Sequence, residues 1–97
     1  MLIKFGVSIE KLARPIRIIL ELVEYEYNKF AVEAVITSTF EGNHRLNSLH
    51  YQNLAIDFRK IEQIEEVAKK LKAQLSDDYD IIVESDNLHV EYDQKNE

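Results

Sequence analysis

The stretch LAIDFRKIEQIEEVAKKLKAQLSDDYDIIVESDNLHVEY, residues 54–92, changes its hydrophobic period twice. Leu54 to Phe58 reads as a short strand. Ile61, Ile64, Val67, Ala68, Leu71 and Leu75 then recur at three- and four-residue spacing, which predicts an amphipathic helix from about Lys60 to Leu75. Glu62, Glu65 and Glu66 lie in its first half and Lys69, Lys70 and Lys72 in its second, complementing the helix dipole, so this charge run needs no binding partner. Tyr79 to Glu84 and Leu88 to Tyr92 flank Ser-Asp-Asn, a turn-forming triplet, and predict a hairpin.

Working outward, Ile16, Ile19, Leu20, Val23 and Tyr27 mark one face of a second helix. Pro15 fits its first residue, after a turn over Ser8 to Ala13. FAVEAVIT, Phe30 to Thr37, is rich in β-branched residues and predicts a strand. TSTFEGNHRLNS, residues 37–48, concentrates polar and turn-forming residues in the one long loop, where function is often carried. QKNE at the end is a solvated tail. The expected fold class is α+β, with two helices packed on one face of a small, mainly antiparallel sheet.

Composition narrows the chemistry. Ninety-seven residues with a net charge of -6 suit one domain over positions 1–97, large enough for a single core. Zero Cys excludes thiol nucleophiles, disulfide scaffolds and thiolate metal sites, so any metal must be held by imidazole and carboxylate. Gly6 and Gly42 are the only glycines and cannot build a phosphate-cradling loop. The acidic balance argues against nucleic acid as a partner. The longest apolar runs are a few residues, so neither membrane insertion nor a secretory signal is expected, and the chain is expected to be cytoplasmic as synthesised.

All three histidines, His44, His50 and His89, fall in the loop, just after it or in the last strand. Asp57 follows His50 by seven positions and Asp86 precedes His89 by three, so two imidazoles come with two nearby carboxylates. Two His and one carboxylate form a set that leaves a catalytic zinc one position open for water. Alternation puts Leu88, Val90 and Tyr92 on one face of the last strand and His89 and Glu91 on the other. Residues seven apart fall on opposite faces of an unbroken strand, so convergence of His50 and Asp57 requires a bend or bulge, for which Asn53 is the natural candidate.

TSTFEGNHRLNSLHYQNLAIDFR and VESDNLHVEYD, within residues 35–93, together resemble the zinc D-Ala-D-Ala peptidase superfamily, which groups D,D-carboxypeptidases, D,D-dipeptidases and phage L-alanyl-D-glutamate endolysins. Its hallmark is Ser-x-His-x-x-Gly-x-Ala-x-Asp followed by an acidic residue three before a second His. SLHYQNLAID and DNLH carry that pattern here, with Asn53 standing for the usual Gly. The resemblance implies a peptidase acting on peptidoglycan stem peptides or other D-amino-acid peptides, with His50, Asp57 and His89 as zinc ligands and Asp86 as general base. Many members carry Arg in a Thr-Ser-Gly-Tyr-Arg-like segment where this chain has Glu41, so His44 or Arg45 is expected to meet the substrate in its place, with Ser48 beside them. Glu91 and Ser48 are expected to orient the imidazoles. A phage or prophage lytic enzyme, released to the cell wall by another factor, accounts for a small chain without a signal.

Blander readings stand beside these. Asp57 also suits the end of a strand or a helix cap, Asp86 suits a turn, and Ser48 suits a structural hydrogen bond. Tyr51 stands next to His50 as a candidate pocket wall. The alternative to an enzyme is a zinc-binding structural or binding module of the same fold that has lost catalysis. A non-haem iron oxygenase uses the same ligand types, but its barrel of about eight strands exceeds what a chain this short supplies.

Overall fold

The computed structural model describes residues 1–39 and 54–94. Local chemistry sets its first helical region. Pro15 lies in the first turn of α1 (Arg14–Arg17), where its missing N–H costs nothing. The Ile19 N–H then bonds the Ile16 carbonyl at 3.3 Å, a tightened turn, before Val23 N–H to Ile19 carbonyl restores the α-helical pattern in α2 (Leu20–Asn28). The single helix expected from Pro15 to Tyr27 is therefore two segments. Arg17, at the break, donates from Nε to the Leu12 carbonyl at 2.8 Å and from Nη2 to those of Ile9 and Glu10 at 3.2 and 2.6 Å, tying down the turn that precedes α1.

The strand expected from Phe30 begins later, as β2 (Val35–Ser38). Phe30 and Ala31 instead close the helix, their N–H groups bonding the Tyr27 and Asn28 carbonyls, and Ala31 takes a left-handed φ of 58°. β3 (Ala55–Arg59), β4 (Tyr79–Val83) and β5 (Asn87–Tyr92) follow close to their predicted places, whereas α3 (Ile64–Gln74) starts about four residues later than expected, after a turn in which the Ile64 N–H bonds the Ile61 carbonyl. β1 (Leu2–Ile3) was not expected. Two exposed residues carry no periodicity, and only their pairing with β2 defines them as a strand.

The sheet has five strands in the order β1-β2-β3-β5-β4. β1 runs parallel to β2 and every other pair is antiparallel. Ile36, Ile56, Phe58, Ile81, Leu88 and Val90 of the sheet form one buried cluster with Ile16, Ile19, Val23 and Tyr27 and with Ile64, Val67, Ala68 and Leu71. Alternation sends the remaining strand residues to the far face: Asp57 on β3, His89 and Glu91 on β5, Asp80 and Ile82 on β4. The helices thus cover one side of the sheet, and the chemistry-bearing side chains lie on the other.

Candidate metal centre

Register decides which of these groups meet. His89 pairs directly with Asp57 on one side and with Ile82 on the other. Side chains opposite one another on adjacent strands stand close enough to interact. Here His89 Nδ1 donates to Asp57 Oδ1 at 2.7 Å, and His89 Nε2 donates to Glu91 Oε1 at 2.6 Å. The ring is held from both ends.

A bulge adjoins the pair. Ile36 aligns with Phe58 and Ser38 with Asp57, so β2 spends one extra residue, Thr37, opposite Asp57 and Phe58. Asp57 is 6% exposed, a carboxylate taken largely out of water. Burial disfavours charge on the His89 ring, but the hydrogen bonds it donates to Asp57 and Glu91 outweigh this and raise its pKa to about 9. In this geometry both ring nitrogens are donors, as an imidazolium requires.

Among the described residues, Asp57, Glu84 and His89 each place one donor atom within 4.8 Å of the other two and could hold a metal ion. Two donors on a tetrahedral zinc stand roughly 3.4 Å apart, given bonds of about 2.0–2.1 Å. The Asp57 and His89 donors, at 2.7 Å, need only open slightly, and Glu84 needs only to draw in. The donor set fits a divalent ion once His89 sheds its proton. With Nε2 held by Glu91, Nδ1 is the nitrogen left to face the ion beside Asp57, the usual way a carboxylate fixes the tautomer of a ligating histidine. Asp80, Glu91 and Asp93 form a second metal-capable group further along β4 and β5.

The structure brings together Asp57, His89 and Glu91 of the residues singled out in the sequence. Asp86 sits exposed in the bend between β4 and β5, outside the Asp57–Glu84–His89 group. His44, Arg45, Ser48, His50, Tyr51 and Asn53 lie outside the described residues. Glu84 is the residue that sequence reasoning missed. Its signal was present: in a hairpin, Glu84 and Ile82 share a face of β4, and Ile82 pairs with His89. No protein-family model, curated protein or solved structure matches the chain.

Proposed function

We propose that this chain is a zinc-dependent peptidase that hydrolyses amide bonds of peptidoglycan stem peptides or related D-amino-acid peptides. The observation that carries the reading is the direct cross-strand pairing of Asp57 with His89 on the sheet face opposite the helices. These are two of the three ligands that the SLHYQNLAID and DNLH pattern implies, and they come from segments about thirty positions apart. His50 is the third in this reading. Zinc held there would polarise the scissile carbonyl and lower the pKa of a bound water.

The chain's own groups supply the rest. Glu91 holds His89 in one orientation through Nε2. Asp86, exposed at the hairpin bend, takes a proton from the attacking water as the new C–O bond forms. It returns that proton to the amine nitrogen as the C–N bond breaks. Arg45 or His44, with Ser48, holds a substrate carboxylate or the developing oxyanion. Release to the cell wall by another factor completes the proposal.

Purified protein incubated with zinc and a synthetic stem pentapeptide tests it by mass spectrometry. The expected products are two fragments whose masses sum to the substrate plus one water. Asp86→Asn should retain zinc and lose about 10²–10⁴-fold in turnover. Intact peptide after prolonged incubation, with zinc bound, would favour the non-catalytic module instead.

A further inference from the structure

We propose that Glu84 is a direct donor to the ion held by Asp57 and His89, a role that the family pattern assigns to no residue at this position. The inference rests on the reading of Asp57 and His89 as a metal pair, and it adds an oxygen donor from a third segment. β3 supplies Asp57, β5 supplies His89, and the residue just past β4 supplies Glu84.

Three observations carry it. The Glu84 N–H donates to the Asn87 carbonyl at 2.8 Å, which continues the β4–β5 ladder one residue past Val83 and fixes the Glu84 backbone ahead of the bend. Alternation then sends its side chain to the face of Ile82, whose pairing with His89 makes Glu84 the diagonal neighbour of the imidazole. Its carboxylate reaches within 4.8 Å of donor atoms on both Asp57 and His89. Asp86 is closer to His89 in sequence, but it lies beyond Ser85 in the bend and does not join this group.

The chemistry is complementary. Two carboxylates and a neutral imidazole bring a divalent ion to zero net charge. Asp57 is buried and positioned by its strand, whereas Glu84 is exposed and can swing inward when an ion arrives. Such a set does not depend on His50 alone. The ion should therefore survive loss of His50 and suffer when Glu84 is also removed.

Competition titration of zinc against a chromophoric chelator, with cobalt(II) absorption as a second readout, tests the assignment. Glu84→Gln should weaken zinc by at least about tenfold and alter the cobalt spectrum, while Asp86→Asn should stay within about twofold of the parent. His50→Ala should keep measurable zinc, and adding Glu84→Gln to it should lower affinity further. Unfolding in chelator should match between Glu84→Gln and the parent, because the side chain is exposed. A Glu84→Gln protein that binds zinc like the parent with an unchanged cobalt spectrum would overturn the assignment and leave the peptidase reading standing. Weakened zinc in Glu84→Gln, with no hydrolysis by the parent, would support the assignment and sink the peptidase instead. A parent that binds no zinc would overturn both.

Discussion

His89 is the residue on which the candidate metal centre turns. Asp57 and Glu91 hold its two nitrogens, and its pKa rises to about 9 from an ordinary 6.5. In the proposed site a proton and a metal ion would compete for Nδ1, so zinc affinity should fall about tenfold for each pH unit below about 9, where one proton is displaced per ion bound. Titrations between pH 6 and 9 would measure that slope, and His89→Gln should flatten it. The metal-free protein should respond in the opposite sense. A folded pKa above the unfolded one stabilises fully below about pH 6.5 and is lost as pH rises through about 9, an effect on the order of 3 kcal/mol for this shift. Urea unfolding in chelator at pH 6 and pH 9.5 should give the higher stability at pH 6. The face on which His89 stands was legible from strand alternation alone, because Leu88 and Val90 had to face the core. Its partnership with Asp57 was not, since alternation names a face but not the neighbour across it.

The elements divide into those whose period is visible and those made by contacts. α3 reads directly from its stripe, and Ile64, Val67, Ala68 and Leu71 are the residues it buries. Leu71→Ala should cost about 2–5 kcal/mol by removing a fully buried side chain, measured as a lower midpoint in denaturant. Tyr27 closes α2 against β3, its hydroxyl donating to the Arg59 carbonyl at 2.7 Å and its ring 6.3 Å from that of Phe58. Tyr27→Phe keeps the ring and removes the bond, so about 1 kcal/mol should be lost, well below the cost of Leu71→Ala. The break between α1 and α2 was not readable from the apolar stripe, which runs through it unchanged. It depends on a tightened turn at Ile19 and on Arg17 reaching back to three carbonyls, contacts that no spacing rule encodes. The delayed start of β2 has a similar origin in the helix closure at Phe30 and Ala31.

At the scale of the whole molecule, one face of the sheet packs against the helices and the other carries Asp57, His89 and Glu91. A core of this size leaves a modest margin, and a ligand bound only by the folded state adds to it by mass action. Zinc at a hundred times its dissociation constant should add about 2.7 kcal/mol and raise the melting temperature by about 10–20 °C, with chelator reversing the gain. Calorimetry with and without zinc would check this, and Asp57→Asn should abolish most of the difference. No helix among the described residues is long and apolar enough to cross a membrane, in keeping with the short apolar runs of the chain. Composition and periodicity by themselves determined the class of fold, the residues of the core, the absence of thiolate chemistry and the sheet face on which His89 stands. Tertiary structure alone decided the strand order, which places β5 between β3 and β4, and the register, which sets His89 against Asp57 and brings Glu84 within reach. The physical reason is that periodicity is a local property of the backbone, whereas pairing across strands is chosen by how the whole core packs, and a shift of one residue would turn His89 and Asp57 to opposite faces.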